Sequence, residues 1–141
     1  MDSKRFVAGT LVSGVALYLV GYLIFTMAFG AFYAANAGSA TGVDRSAQLV
    51  WALALSSVAY AALIVFVIGN RVGPLSIGRG AQIGAIVGFL LWVTADFVIY
   101  GMTNIANLAR TVVDPLLEIV HGGIGGVVVA TVLKSMAVSS R

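Results

Sequence analysis

The sequence predicts an all-α protein, a polytopic membrane four-helix bundle that forms a single transmembrane domain over residues 1–141. Composition is the first observation behind this prediction: apolar residues make up 60% of the chain and charged residues only 9%. Soluble domains carry about a quarter charged residues. The second observation is that four apolar stretches each reach the roughly 20 residues that a spanning helix needs.

We expect the four spanning helices at about residues 6–33, 47–69, 81–103 and 115–134. The first is longer than a bilayer requires, so it is tilted or projects from the membrane. It also exceeds the core of a signal peptide, which is roughly 7–15 residues long. Asn70, Gly73 and Pro74 end the second helix, because all three residue types favour turns.

Basic residues predict the orientation, since short cytoplasmic loops are enriched in Lys and Arg. With the N-terminus inside, the inner side holds Lys4, Arg5, Arg71, Arg79, Lys134 and Arg141, and the outer side holds Arg45 and Arg110. We therefore expect a bacterial inner-membrane protein with both termini in the cytoplasm. The basic residues form no patch with aromatic residues, so the expected partner is the lipid bilayer and not nucleic acid.

Small residues predict where the helices meet, because helices in lipid associate through close packing. Gly80, Gly84 and Gly88 are spaced by four on the third helix, and Gly122 and Gly126 are spaced by four on the fourth. One interpretation is dense packing within the chain. The other is that a glycine stripe joins two subunits of a homo-oligomer.

Ionisable residues inside a membrane are functional candidates, because each costs at least ~2.5–3.5 kcal/mol at the centre of a spanning helix. Asp96 on the third helix is one candidate. Asp114, Glu118 and His121 follow at i, i+4 and i+7, which places them on one face of the fourth helix. Asp114 has a second interpretation as a helix cap at the edge of the site, since Asp is a favoured N-cap and Pro115 suits the first helical position.

The predicted helix ends bring four of these residues together. Asp96 and His121 each lie about seven residues from the outer end of their helices, or about 10 Å at 1.5 Å per residue. Tyr100 and Glu118 then lie about one turn higher. We expect Asp96, Tyr100, Glu118 and His121 to line one pocket in the outer half of the bilayer.

Three interpretations of this pocket remain open. The first is a proton or cation site, because a carboxylate beside a histidine in a low dielectric can load and release a proton. The second is a metal site, because the i, i+3 spacing of Glu118 and His121 occurs in di-iron bundles. The third is a hydrogen-bonded network that fixes helix register. The chain has one histidine and no cysteine, so we expect no metal and no other cofactor.

The segment Tyr100-Gly101-Met102-Thr103-Asn104, followed by Ala106, Leu108, Val113-Asp114 and Gly122, resembles a group of small bacterial membrane proteins of unknown function. These proteins have four helices and a Tyr-Asp-x-Thr-Asn motif at the end of the third. The resemblance covers mainly the C-terminal half, and Gly101 stands where the motif has aspartate. It implies the fold and a membrane location, and it brings no activity.

Two functions follow as expectations. The first is binding or translocation of a proton, cation or small solute at the acid and histidine pocket. The second is a structural or accessory subunit of a larger membrane complex, which the glycine-rich chain with short loops favours. Enzymatic chemistry lacks support, because the chain has no Ser/His/Asp arrangement and no phosphate-binding loop.

Overall fold

The structure is a computed structural model that describes residues 1–138, and it is all-α. Its helices are α1 (Ser3–Gly21), α2 (Gly30–Ala35), α3 (Val50–Gly69), α4 (Ile77–Met102) and α5 (Leu108–Val138), with a π-helical segment at Tyr22–Ala28 between α1 and α2. No strand occurs over residues 1–138, and a single bridge between Ala37 and Ala106 joins two connections. The predicted all-α class is confirmed.

Four of these helical stretches are long and apolar enough to cross a membrane, which makes the chain a multi-pass membrane protein. They are Ser3–Ala28, Val50–Gly69, Ile77–Met102 and Leu108–Ala137. Consecutive spans run in opposite directions. We call the end where residues 36–49 and 103–107 connect the helices the Tyr33 end, and the opposite end, where residues 70–76 connect α3 and α4, the Arg71 end.

The first predicted helix, residues 6–33, is interrupted. The α-helix ends at Gly21, and the Phe29 N–H donates to the Ile24 carbonyl, five residues back, at 2.9 Å. Phe29 then leaves helical geometry (φ −111°, ψ 6°) before α2 begins. Apolar periodicity cannot distinguish an α-helix from a wider π-helix, and π-helical turns occur often at functional sites.

The last helix begins at Leu108 and not at residue 115 as predicted. Asn107 caps it, because its Oδ1 accepts from the Arg110 N–H at 3.0 Å. Pro115 therefore lies inside α5, and Asp114 is an interior helix residue rather than a cap. Asp-Pro is a common helix start, but Asn107 provides an equivalent start two turns earlier. The 104–113 connection shortens accordingly to residues 103–107.

The two middle helices differ less from their predicted bounds of 47–69 and 81–103. The second span begins at Val50. The third begins at Ile77, because the Ser76 side chain accepts from the Arg79 N–H at 3.0 Å and caps it. Arg141, which was counted on the inner side, lies outside the described residues.

The glycines bring the backbones of α4 and α5 into contact within one chain. A Cβ on Gly80 would lie 2.6 Å from the Gly126 carbonyl oxygen, and one on Gly84 would lie 2.9 Å from the Gly126 Cα. A Cβ on Gly88 would lie 2.5 Å from the Glu118 carbonyl oxygen, and Gly122 faces Gly84. All five predicted glycines thus lie in one intramolecular contact, which fixes the register of the two helices.

An apolar core fills the bundle towards the Arg71 end. It is formed by α1, α3 and α5 and consists of Leu17, Tyr60, Ala61, Ile64, Val65, Ile68, Val129 and Leu133. At the same end the Arg5 guanidinium donates to the Leu133 carbonyl at 2.6 Å. The half of the bundle near the Arg71 end is therefore tightly closed.

We expect Gly84→Ala to lower the stability of the protein and Gly78→Ala to preserve or raise it. A Cβ at Gly78 meets nothing within 4 Å, so alanine there gains up to about 1 kcal/mol of helix propensity. At Gly84 the same methyl meets backbone, and overpacking costs about 1–3 kcal/mol. Thermal unfolding in one detergent measures both variants, and equal midpoints would contradict the contact.

Candidate functional site

A pocket of about 480 Å³ extends from the Tyr33 end to His121 in the bundle interior. Residues of all four spans line it. Its polar and charged lining includes Gln48, Tyr60, Arg110, Asp114, Glu118 and His121. This volume lies within the range of small-molecule sites, about 300–1,000 Å³.

Glu118 and His121 form a buried pair deep in this pocket. Their side chains meet at 3.0 Å between Glu118 Oε2 and His121 Nδ1, one helical turn apart on α5. The residues are only 1% and 6% exposed. The second ring nitrogen, Nε2, lies 2.9 Å from the Leu17 carbonyl oxygen of α1.

The hydrogen-bond partners limit the protons that this pair can carry. A carbonyl oxygen can only accept, so Nε2 carries a hydrogen that it donates to Leu17. A single further proton then lies between Nδ1 and Oε2. It gives either imidazolium with carboxylate or neutral imidazole with carboxylic acid, and the pair has no net charge in both forms.

Aromatic side chains hold the imidazole in place. The Phe25 and Tyr60 rings lie edge-to-face with His121, with centroids 5.5 Å and 5.6 Å away. A Cβ on Gly21 would lie 3.4 Å from the same ring. Tyr60 lines the pocket, and its hydroxyl is buried and has no hydrogen-bond partner. Sequence reasoning missed Phe25 and Tyr60, because an aromatic residue in an apolar helix carries no distinguishing signal.

A second cluster lies nearer the Tyr33 end. The Tyr33 hydroxyl donates to Asp114 Oδ1, and the Arg110 guanidinium lies over the Tyr33 ring, 5.1 Å from its centroid. Burial and the neighbouring Asp114 raise the pKa of Tyr33 well above its usual range. Tyr33 therefore remains a neutral donor to the carboxylate, and Asp114 belongs to the pocket lining.

The structure leaves Tyr100 outside the pocket lining and places Asp96 beside Asp114, while Glu118 and His121 lie deeper in the pocket. His121 lies thirteen residues after the start of α5, about 20 Å along the helix rather than the expected 10 Å. Asp96 lies six residues before the end of α4, and Asp114 lies six residues into α5. Its electrostatic neighbours are Asp114, Arg110 and Glu118.

Asp96 and Tyr100 of α4 also differ in burial. Asp96 is partly buried, and its Oδ2 is buried without a hydrogen-bond partner. Tyr100 is 39% exposed and is not part of the pocket lining. Trp92, one turn before Asp96, lines the pocket instead. The early start of α5 explains why the pocket lining differs from the prediction, because it places every α5 residue two turns deeper than expected.

The metal interpretation has no cluster to support it within residues 1–138. No three His, Asp or Glu side chains in that range come close enough to hold a metal ion. Glu118 and His121 bind each other directly.

No protein family, curated protein or solved structure matches the chain. The class of the protein therefore rests on its own fold and site. It is a multi-pass α-helical membrane protein with a pocket between its helices that aromatic and charged side chains line.

We expect His121 to carry a hydrogen on Nε2 in every protonation state, because only that form satisfies the Leu17 carbonyl. The chain has one histidine, so nitrogen-15 histidine labelling gives a single imidazole in NMR spectra of bilayer samples. Glu118→Gln is the control and should retain the Nε2–H form. A neutral ring with a bare Nε2 would contradict the assignment.

We expect Tyr33→Phe to destabilise the protein by about 1–3 kcal/mol, because it leaves the Asp114 carboxylate without its donor. Tyr100→Phe is the matched control and should change little, since no described hydrogen bond uses its hydroxyl and the residue is exposed. Thermal unfolding of both variants in detergent tests this difference. Equal losses would place the two tyrosines in equivalent roles.

Proposed function

We propose that this protein binds or translocates a proton, cation or small solute through its intramembrane pocket. The observation that carries this proposal is the Glu118 and His121 pair deep in the pocket, buried and in direct contact at 3.0 Å. Such a pair can load and release a proton in a low dielectric.

A purely structural role for the pair explains less of the site. The glycine contact already fixes the register of α4 and α5. The link between α5 and α1 needs only the imidazole of His121 and the Leu17 carbonyl. The buried Glu118 carboxyl is required by neither contact, and an acid in a membrane is costly.

The pocket ends at the apolar core in this conformation. Leu17 and Tyr60 belong both to the pocket lining and to the apolar core, which closes the way to the Arg71 end. Translocation therefore requires α1, α3 and α5 to rearrange. Four helices leave little room for a complete pathway, so a homo-oligomer or a larger membrane complex is part of the proposal.

The proposed orientation places the pocket on the outer side of a bacterial inner membrane, with both termini in the cytoplasm. Lys4, Arg5, Arg71 and Arg79 lie at the Arg71 end, where the positive-inside rule places cytoplasmic residues. At the Tyr33 end, Arg110 lies in the pocket lining and not in a loop. The connecting loops at this end, residues 36–49 and 103–107, therefore carry one basic residue, Arg45. The resemblance of the 100–104 segment to small bacterial membrane proteins supports the same location.

We expect proton flux into proteoliposomes, followed with a trapped pH dye, to fall at least about tenfold in Glu118→Gln. The variant cannot ionise at the carboxyl that shares the proton. Asp44→Asn, in an exposed loop, is the control and should retain the flux. Equal flux in the wild type and in Glu118→Gln would contradict the proposal.

The same preparation tests the competing function. A wild-type protein without flux that co-purifies from native membranes with a stoichiometric partner would favour an accessory subunit of a larger complex. A clean homo-oligomer in mild detergent would count against that alternative.

A further inference from the structure

We propose that the ligand of this pocket is a small organic ammonium ion, and that it binds in exchange for the one proton shared by Glu118 and His121. The inference rests on the proposed function and adds the chemical class of the ligand and its stoichiometry with protons.

The size and the walls of the pocket favour an organic cation. A volume of about 480 Å³ far exceeds that of a bare metal ion, and the described residues include no metal-binding cluster. The lining is rich in aromatic side chains, namely Tyr18, Tyr22, Phe25, Tyr33, Tyr60 and Trp92. Aromatic faces attract cations, most strongly where water is excluded.

The charges favour a cation over an anion. Asp114 lines the pocket and Asp96 adjoins it, while Arg110 is the fixed cation among the lining residues. Glu118, Asp114 and Asp96 can each become negative by giving up a proton, so three groups can compensate a bound cation, whereas only Arg110 can compensate an anion. Arg110 lies eleven residues before His121, about 16 Å along α5, so the deep part of the pocket contains no fixed positive charge.

The contact between Arg110 and Tyr33 is an example of a cation on an aromatic wall of the pocket. The Arg110 guanidinium lies over the Tyr33 ring, and the described residues show no ion pair between it and a carboxylate. A pocket wall of this chain thus accommodates a cation on an aromatic face.

The proton balance follows from the geometry of the pair. The Nε2 hydrogen stays on the imidazole, which donates it to the Leu17 carbonyl, so the shared proton is the one that can leave. A cation next to the pair stabilises the Glu118 carboxylate and disfavours imidazolium. The proton then departs to water, which leaves neutral imidazole, carboxylate and one bound cation, and the total charge of the site is unchanged.

The surroundings of the pair fit this exchange. The side chains that interact electrostatically with Glu118 are His121 and Asp114 from α5, Tyr60 from α3 and Asp96 from α4. From α1 the Leu17 carbonyl faces His121. The Tyr60 residue is only 8% exposed, and its hydroxyl has no partner. That hydroxyl is therefore a free donor beside Glu118 for the carboxylate that the departing proton leaves behind.

Choline is the probe that tests the exchange, because its quaternary nitrogen has no proton and any proton released comes from the protein. Calorimetric titration of the full chain in nanodiscs, in two amine-free buffers that differ in ionisation enthalpy, counts that proton. We expect release of one proton per choline bound and an affinity that rises with pH as long as the free protein keeps the shared proton. The neutral isostere 3,3-dimethyl-1-butanol should bind at least about tenfold more weakly.

Two variants locate the exchange. Glu118→Gln should abolish proton release and weaken choline binding at least about tenfold. Tyr60→Phe removes only the hydroxyl and should weaken binding while the release of one proton remains. Asp44→Asn should behave as the wild type, and thermal unfolding verifies that each variant is folded.

Two outcomes would overturn the inference: choline affinity independent of pH, or equal affinity for choline and its neutral isostere. Absence of choline binding in a protein that still conducts protons through Glu118 would reject the ligand class and leave the proposed function standing. Loss of both activities would reject the two together.

Discussion

The close approach of α4 and α5 is the constraint on which the site depends. In lipid, two helices pack through van der Waals contact of small residues rather than through the hydrophobic effect. Gly84 and Gly126 let the two backbones touch, and Gly88 faces the backbone of Glu118. One side of α5 is therefore used for α4. On the rest of its surface, α5 packs against α1 and α3. The Glu118 and His121 side chains contact residues of these two helices, and the pocket forms there.

The bundle divides into two halves of different character. Towards the Arg71 end, Ile64, Val65 and Val129 are fully buried and pack without polar partners. Towards the Tyr33 end, charged and aromatic side chains line a pocket that reaches His121. A buried charge needs a partner or is neutralised, an acid by gaining a proton and a base by losing one. The two halves of the bundle meet where Glu118 and His121 satisfy that requirement by sharing a proton.

The π-helical segment links the chain's local geometry to this site. Its extra residue per turn interrupts the first span at Tyr22–Ala28, and Phe25 within it contacts both His121 and Tyr33. Phe25 thus connects the two polar clusters of the pocket. π-Helical turns inside α-helices occur frequently at functional sites.

The sequence by itself determined the four apolar spans, the glycines of the α4 and α5 contact and the pairing of Glu118 with His121, because hydropathy and helical spacing are local properties. Tertiary structure decided how deep each ionisable side chain lies and which residues are its neighbours. Asn107 caps α5 two turns before Asp114, so Asp96 faces Asp114 instead of His121. The Leu17 carbonyl, which fixes the tautomer of His121, is a backbone atom of a distant helix. A contact of that kind depends on how whole helices pack, and no local pattern encodes it.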